Sequence, residues 1–191
     1  MSGSHPGEAL PPEDDETTVA RIVAGQKDRF RFLVRRHERA VYGMGLSFFR
    51  NPDDAADFAQ DVFLKAYRSL AHFEGRARFS TWLYRIAYNT AVNSVSRRKE
   101  YQSLAEADTV VDGDNPERRV IRSAAREAVL DAVRDLPEKY RVCVDLFFFY
   151  DRSYQEIEAI TGFPVNTIKS HVFRAKKLLR GRLEDFGGGE L

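Results

Sequence analysis

Apolar residues recur every three or four positions along most of this chain, a spacing typical of helices with one buried face. The sequence contains no alternating strand pattern and no internal repeat. Its first half predicts a short helix capped by Thr17 or Thr18, a long helix ending near Phe49, a helix from Pro52 to about Leu70, and a helix capped by Ser80 or Thr81. Asn51-Pro52-Asp53-Asp54 is a strong helix start because it combines a cap, an early proline and acids near the positive end of the helix dipole.

The most informative pattern lies between residues 153 and 182. Ser153 and Glu156 form an S-x-x-E capping box, which satisfies free amides at the start of a helix. The Thr161-Gly162-Phe163-Pro164 stretch then interrupts the helical pattern, because glycine permits a positive φ and proline cannot continue a helix. A second helix follows directly. Two short helices joined by a glycine-containing turn predict a helix-turn-helix.

The second of these helices has an apolar side and a basic side. Residues 169–182 hold six lysines and arginines and no acid. A recognition helix in the DNA major groove has this one-sided charge, whereas the alternative is a solvated basic helix in an ordinary bundle. The candidate DNA-binding residues, including two that could cap the helix, are Asn166, Thr167, Lys169, Ser170, Phe173, Arg174 and Lys177.

A second candidate nucleic-acid surface begins at residues 73–82, which we name the aromatic loop. Bases can stack on its rings, its arginines can meet phosphates, and amides on the following helix can read base edges, so single-stranded nucleic acid would fit it. A lone tryptophan is more often part of a core, but the arginines and the amide beside Trp82 favour a pocket. The candidate residues are Arg76, Arg78, Phe79, Ser80, Trp82, Arg85, Asn89 and Asn93.

The helix predicted from Pro52 also has two different sides. Opposite its core side lies a mixed acidic and apolar stripe with helical spacing, which we name the docking stripe: Asp57, Gln60, Asp61 and Leu64. A stripe of this kind can bind a partner protein. The alternative is a solvated face with one exposed leucine.

Composition limits the possible functions. The formal net charge is only +1, so a nucleic-acid surface depends on the separation of charge along the chain, and residues 76–99 hold six bases and no acid. The single cysteine, Cys143, excludes an internal disulfide and a cysteine-based zinc site, and its apolar neighbours indicate a buried, inert thiol. No metal-ligand cluster, phosphate-binding glycine loop or nucleophile–base pair is evident, so we expect no cofactor and no enzymatic activity.

These patterns predict an all-α protein with two helical domains joined by a flexible linker, the second domain containing the helix-turn-helix. The predicted segments are a disordered acidic tail (1–16), a first domain (17–100), an acidic linker (101–116), a second domain (117–185) and a loose C-terminus (186–191). The N-terminus lacks a signal-peptide core, and no run reaches the roughly 20 apolar residues of a membrane span. We therefore expect a cytoplasmic protein without a membrane span.

Three segments, in this order, resemble the extracytoplasmic-function (ECF) sigma factors of bacterial RNA polymerase. DFAQDVFLKAY at residues 57–67 resembles their core-binding segment, and FSTWLYRIAYN at residues 79–89 resembles their promoter-melting segment. The stretch from LPEKYR to PVNTIKS, at residues 136–170, resembles their C-terminal domain. The resemblance covers roughly residues 17–185 and implies a transcription initiation factor.

The resemblance also implies a role for each surface. Residues 17–100 would be sigma region 2, with the docking stripe on the clamp helices of the largest polymerase subunit. The aromatic loop, Trp82 and Asn89 would read the −10 element and hold a flipped non-template base. Residues 117–185 would be sigma region 4, which would read the −35 element and contact the flap region of the polymerase. Core RNA polymerase, promoter DNA and an anti-sigma factor are the implied partners.

Two positions depart from the family's pattern. Lys169 stands where the family often has arginine, and lysine lacks the planar fork that grips guanine. His171 sits where a basic residue is common, and with a reference pKa of about 6.5 it would be mostly neutral at pH 7. Any phosphate contact from His171 is therefore expected to strengthen in acid.

Two other classes of function remain open at this point. An ordinary helix-turn-helix regulator with an N-terminal sensing or dimerisation domain explains residues 153–182 but leaves the aromatic loop without a role. A DNA-processing enzyme, such as a recombinase with a helix-turn-helix tail, would need a nucleophile in a basic cluster and a strand-bearing catalytic architecture. The sequence suggests neither.

Overall fold

The computed structural model describes residues 13–104 and 124–187, and within them it contains helices and turns but no strand. The helices in chain order are α1 (Asp15–Val23), α2 (Phe30–Phe49), α3 (Pro52–Ser69), α4 (Phe79–Leu104), α5 (Ala124–Arg134), α6 (Glu138–Val144), α7 (Tyr154–Thr161) and α8 (Val165–Gly187). A π-helical turn, Asp145–Phe149, continues α6. The predicted all-α class is confirmed.

Two predicted helix starts are confirmed in atomic detail. The side chain of Asn51 accepts hydrogen bonds from the amides of Asp53 and Asp54, at 2.8 and 3.2 Å. The amide of Ser153 donates to Glu156 at 2.9 Å while the Ser153 hydroxyl accepts from the Glu156 amide at 3.2 Å, so the capping box is complete. The sequence predicts these two helix starts correctly because each capping side chain lies within three residues of the amides that it binds.

The start of α1 differs from the prediction. Asp14 caps the helix, since its carboxylate accepts a hydrogen bond from the amide of Thr17 at 2.8 Å. Thr18 is buried inside the helix, and its hydroxyl donates to the Asp14 carbonyl at 2.9 Å. The expectation that Thr17 or Thr18 is the cap was therefore wrong. The helix begins within the segment predicted as a tail, of which residues 1–12 lie outside the described residues.

Two further helices begin earlier than expected because distant acids bind their first amides. Glu16 accepts from the amide of Phe79 at 2.8 Å, so α4 begins before the predicted caps Ser80 and Thr81. Glu158 accepts from the amide of Val165 at 3.2 Å, so α8 begins there. The predicted caps of α8, Asn166 and Thr167, consequently lie in its first turn.

The end of α4 also differs from its predicted boundary. The helix continues to Leu104, four residues into the segment predicted as a linker. The remainder of that segment, residues 105–116, lies outside the described residues, as do residues 117–123 at the predicted start of the second domain.

The N-terminal domain is held together by close packing of α2 against α3. Gly45 of α2 allows this approach, because a Cβ at that position would lie 2.8 Å from the Phe58 ring and 3.0 Å from the backbone of Ala55. Contacts of that length are shorter than carbon atoms tolerate, so a side chain at position 45 would separate the helices. The α2–α3 pair then supports α4.

The C-terminal domain packs α8 against α5, α6 and α7. Ile157 and Ile160 of α7 and Ile168 and Val172 of α8 are buried, as their helical spacing predicted. The turn between the two helices contains Gly162 in the left-handed conformation, with φ of 77°. This is the predicted helix-turn-helix.

The two domains contact each other along a surface that we name the interdomain seam. It is formed by α2, α4 and the aromatic loop on one side and by α6, the π-helical turn and α7 on the other. The rings of Tyr84 and Tyr150 lie 5.5 Å apart across it, and those of Tyr88 and Phe163 lie 6.4 Å apart. One buried apolar cluster therefore extends through both domains.

Candidate nucleic-acid and polymerase interfaces

The exposed side of α8 brings together most of its predicted DNA-binding residues. The buried stripe of this helix, Ile168, Val172 and Ala175, turns the opposite side outward. The five side chains that border one surface depression on the outward side are Lys169, Ser170, Phe173, Arg174 and Lys177. The Phe173 ring is 70% exposed on this outward side of the helix.

Aromatic rings beneath α8 hold two of its lysines in place. The ammonium of Lys169 lies 5.9 Å from the centre of the Tyr154 ring, and that of Lys176 lies 5.1 Å from the centre of the Phe148 ring. Attraction between a cation and a ring face restricts these side chains without removing their charge. The positive charges of α8 are thereby positioned for an anionic partner.

Arg174 has a polar neighbour in the same domain. Its guanidinium lies 3.5 Å from the hydroxyl of Tyr140, at the limit of a hydrogen bond. This contact, and secondarily the positive charges of Arg174 and Lys139, lowers the pKa of the exposed Tyr140 hydroxyl.

His171 does not belong to this surface, so the structure gives it no position from which to contact a phosphate. Its ring is buried between those of Tyr140 and Phe163, and its Nδ1 atom lies 3.7 Å from the Cys143 sulfur. Burial, followed by the nearby positive charges, lowers the pKa of His171. The expected burial of Cys143 is confirmed, and that burial raises the pKa of its thiol to about 12.

The aromatic loop is built on a cluster of three rings. The ring centres of Phe73, Phe79 and Trp82 lie 5.3 to 5.9 Å from one another. Phe79 is fully buried, so its predicted role as a direct DNA contact is corrected to that of an internal support. Trp82 is half-buried, with part of its ring available at the surface.

The remaining residues of this candidate surface are accessible to solvent to different degrees. Ser80 is half-buried at the interdomain seam, whereas the exposed members are Arg76, Arg78, Arg85, Asn89 and Asn93. Along α4, the exposed side chains that follow Trp82 are three or four residues apart, so they share one side of the helix. That side therefore presents the ring edge of Trp82, the guanidinium of Arg85 and the side-chain amides of Asn89 and Asn93.

Sequence reasoning missed the residue that holds the start of this surface. Glu16 of α1 binds the first amide of α4, the amide of Phe79, although 63 residues separate them. The preceding residue, Asp15, anchors α1 to α2 through Arg36 at 2.9 Å and through His37 at 2.6 Å. Burial raises the pKa of Asp15, but hydrogen bonding and charge from His37 and Arg36 outweigh it and lower that pKa overall.

The docking stripe is exposed along its whole length on α3. Leu64 is 55% exposed, and the carboxylate of Asp61 lies 2.8 Å from the ammonium of Lys65. Tyr67 continues the stripe and is 40% exposed. Its position three residues after Leu64 was the signal that could have added it to the predicted set.

Comparison with known proteins decides between the classes of function. Residues 33–101 match sigma-70 region 2, and residues 126–179 match sigma-70 region 4. The chain is 34% identical over 186 residues to the RNA polymerase sigma-H factor of Pseudomonas aeruginosa, a match that covers 92% of this chain and 96% of the relative. It is 33% identical over 181 residues to the ECF RNA polymerase sigma-E factor of Haemophilus influenzae, covering 89% and 95%.

The chain belongs to the ECF family of RNA polymerase sigma factors. It is thus a transcription initiation factor that binds RNA polymerase and promoter DNA. The alternative of an ordinary helix-turn-helix regulator is not favoured, because the region 2 match accounts for the first domain, including the aromatic loop.

The fold of this sigma factor agrees with solved structures. CnrH in complex with the cytosolic domain of CnrY gives a TM-score of 0.66 at 22% identity, covering 91% of this chain and 99% of that one. The sigma factor RpoE in complex with the anti-sigma factor NepR from Bartonella quintana gives 0.67 at 23% identity, covering 81% and 96%. At these identities the comparison establishes a shared fold.

The described part of this sigma factor lacks two kinds of feature. None of its helices there combines the length and apolar character that a membrane crossing requires. Likewise, residues 13–104 and 124–187 bring together no three histidine, cysteine, aspartate or glutamate side chains as candidate ligands for a metal ion.

Proposed function

We propose that this sigma factor reads the −35 element with α8 and the −10 element with the aromatic loop and the exposed side of α4. The observation that carries the proposal is that Arg85, Asn89 and Asn93 are exposed on one side of α4 next to the half-buried Trp82. An interior position for these side chains would have excluded a role in DNA binding.

At the −35 element, α8 lies in the major groove. Asn166 and Thr167 in its first turn and Lys169 one turn later approach the DNA first, since recognition helices contact base edges with their N-terminal residues. Arg174 and Lys177 lie further along the same side. If the domain neutralises four phosphates, its affinity falls roughly a hundredfold between 50 and 200 mM salt.

At the −10 element, the sigma factor holds one non-template base that has left the duplex. Unstacking a base costs a few kcal/mol, while stacking on a ring returns about 1–3 kcal/mol. These terms nearly cancel, so hydrogen bonds from Asn89 and binding by the polymerase must complete the melting. The isolated chain is therefore expected to open promoters weakly or not at all.

The polymerase contacts follow from the same reasoning. The docking stripe of α3 binds the clamp helices of the largest subunit, where Leu64 supplies apolar contact area and Asp57 and Asp61 supply charge. The second domain contacts the flap region, for which the exposed rings of Phe148 and Phe149 are available. The chain contributes recognition, and the phosphoryl transfer of transcription belongs to the polymerase.

A regulatory partner is part of the proposal. The two sigma factors of like fold were solved as complexes, one with the cytosolic domain of CnrY and one with the anti-sigma factor NepR. We propose that an anti-sigma factor likewise binds this chain and that the chain acts in the cytoplasm, associated with the nucleoid when active.

In vitro transcription with core polymerase and a randomised promoter library, followed by sequencing of the transcript starts, tests this function. The expected result is starts downstream of a two-part consensus that appear only when the chain is present. A repressor or an activator cannot confer such starts on core enzyme. Starts that are independent of the chain, or that lack a shared upstream sequence, would overturn the proposal.

A further inference from the structure

Three aromatic rings lie in a row beneath α8, and we name them the ring row: Tyr154, Phe147 and Phe148. The rings of Tyr154 and Phe147 are stacked, with their centres 4.9 Å apart and an angle of 10° between their planes. The ring of Phe148 meets that of Phe147 edge-on, also at 4.9 Å. Stacked and edge-on pairs are favourable arrangements of aromatic side chains, so each ring restrains the next.

The ring row is attached to parts of the domain other than α8. Tyr154 is the first residue of α7 and directly follows Ser153, whose capping hydrogen bonds fix the start of that helix. Phe147 lies in the π-helical turn, and both it and Tyr154 pack against the buried apolar cluster. The row therefore takes its position from α7 and the π-helical turn.

Each end of the ring row holds one lysine of α8. The ammonium of Lys169 lies 5.9 Å from the centre of the Tyr154 ring, and that of Lys176 lies 5.1 Å from the centre of the Phe148 ring. Among the described residues neither lysine pairs with a carboxylate, so rings restrain them instead of acids. A carboxylate would have offset their charge and repelled DNA phosphates, whereas a ring leaves the charge in place.

The restraint matters most for Lys169 because of what lysine lacks. Its ammonium sits on a flexible stem and has no planar fork, so an unrestrained lysine is free to bind a phosphate, which carries no sequence information. Guanine presents two acceptors, N7 and O6, on its major-groove edge, and a lysine directed at that edge can select this base. The ammonium has three N–H donors, so a ring on one side leaves donors available on the other.

We propose that Tyr154, supported by Phe147, is a positioning residue for −35 recognition: its ring directs Lys169 to the major-groove edge of a guanine. This inference deepens the proposed −35 function of α8 and rests on it. Lys169 lies in the first two turns of α8, where recognition helices contact base edges. Lys176 lies two turns further along, where we expect a phosphate contact.

The base preference of two Tyr154 variants tests the proposal. Each chain is combined with core polymerase and the randomised promoter library. Tyr154→Leu removes the ring, so guanine enrichment at one −35 position should fall about twofold to fivefold, as expected for a lost cation–ring contact at an exposed site. Tyr154→Phe keeps the ring and should keep the wild-type preference. An equal loss in both variants would overturn the proposal, because the hydroxyl would then be the group that acts.

A double-mutant cycle separates positioning from support of the fold. Lys169 is exposed, so Lys169→Met should leave the fold intact and remove the guanine preference at the same position. Retention of that preference would overturn the proposal whatever the Tyr154 variants do. In the Lys169→Met chain, Tyr154→Leu should have no further effect on base preference. A further loss, spread over every −35 position, would show that the ring only supports the fold and would also overturn it.

Lys176→Met is the matched control, because it removes the lysine at the other end of the ring row. Any loss of promoter affinity should be the same for every −35 sequence, as expected for a phosphate contact, and the guanine preference should stay unchanged. A change of base preference as large as that of Lys169→Met would overturn the assignment of base reading to Lys169.

The outcomes separate this inference from the function on which it rests. Failure of the wild-type chain to yield a two-part consensus would overturn the proposed function and this inference with it. A wild-type consensus that persists unchanged in Tyr154→Leu would overturn the inference alone. A guanine preference that is weakened in Tyr154→Leu, lost in Lys169→Met and kept in Tyr154→Phe would support both.

Discussion

The carboxylate of Glu16 accepts a 2.8 Å hydrogen bond from the backbone amide of Phe79, the first residue of α4. This bond joins α1 to the helix that carries the proposed −10 surface. It also places a negative charge at the positive end of the α4 dipole, where it is stabilising.

Replacement of Glu16 by alanine should therefore loosen the start of α4. A lost N-terminal cap costs about 0.5–2 kcal/mol, and the aromatic loop should lose order with it. We expect weaker open-complex formation, measured by permanganate reactivity of unpaired thymines, with unchanged binding to core polymerase. Glu16→Gln keeps an acceptor oxygen and should restore most of the signal, and equal defects in the two variants would contradict the capping role.

Asn89→Ala tests the proposed capture of a base. The residue is exposed on α4, so its removal should leave the fold intact. Loss of its hydrogen bonds should reduce open-complex formation on promoter DNA while polymerase binding stays the same. Equal losses of promoter opening and of polymerase binding would argue against a specific role in the pocket.

Asp61→Arg tests the docking stripe. The change reverses one exposed charge and breaks the surface ion pair with Lys65, which by itself is worth well under about 1 kcal/mol of stability. Recovery of core polymerase in a pull-down should fall. Glu38→Arg, an equal charge reversal at an exposed position of α2, is the control and should leave the recovery of polymerase unchanged. Full recovery with Asp61→Arg would count against a role of the docking stripe in binding polymerase.

Arg174→Ala distinguishes base reading from phosphate binding on α8. A base-edge contact should cost about 1–3 kcal/mol on the selected −35 duplex and much less on random DNA. Fluorescence anisotropy with both duplexes measures the difference. Arg180→Ala, on an exposed position of the same helix outside the proposed set, provides the comparison. An identical loss on both duplexes would make Arg174 a phosphate contact only.

The carboxyl group of Asp145 should make stability depend on pH. Burial raises its pKa to about 6, although the hydrogen bond from Ser47 and the charge of Arg141 act in the opposite direction. Between these pH values the folded chain keeps a proton on Asp145 that the unfolded chain, in which the ordinary pKa of this carboxyl group is 3.8, has already lost. The protonated group favours the folded state below about pH 4, and this contribution of roughly 1–3 kcal/mol is lost as the pH rises through 6.

Thermal unfolding at pH 5 and pH 7.5 measures this effect. Asp145→Asn cannot ionise and keeps an oxygen that accepts from Ser47, so the melting temperature of this variant should change less over that interval than the wild type does. Asp15 acts in the opposite direction, because its lowered pKa favours the folded state at higher pH. Since both chains contain Asp15, its effect cancels in the difference between their melting temperatures. An equal change in melting temperature between pH 5 and pH 7.5 in the two chains would contradict the raised pKa of Asp145.

The sequence was sufficient where the interacting groups are close along the chain. Asn51 and Ser153 cap helices whose amides lie two or three residues away, and the buried stripe of α8 follows directly from its helical spacing. The apolar periodicity therefore predicted the helices and the helix-turn-helix, and the exposed sides of α3, α4 and α8 followed from the same spacing.

The errors arose where tertiary contacts override local preference. Ser80 and Thr81 are good caps by residue type, but Glu16 reaches the Phe79 amide from another helix and α4 begins earlier. Phe79, expected to contact DNA directly, is instead buried against the rings of Phe73 and Trp82. His171 lies three residues after the buried Ile168 on the same side of α8, so its helical spacing could have indicated its burial. Periodicity within one helix carries no information about which other element covers it.

Gly45 has a consequence for the geometry of the whole first domain. The helix that carries the docking stripe, α3, sits against α2 at a separation that only the absence of one methyl group permits, because Phe58 and Ala55 fill the place of that methyl. The same α2 also contacts α4, which carries the proposed −10 residues. The spacing between the docking stripe and the proposed −10 side of α4 thus depends on the absence of a side chain at position 45, and even alanine there would shift one surface relative to the other.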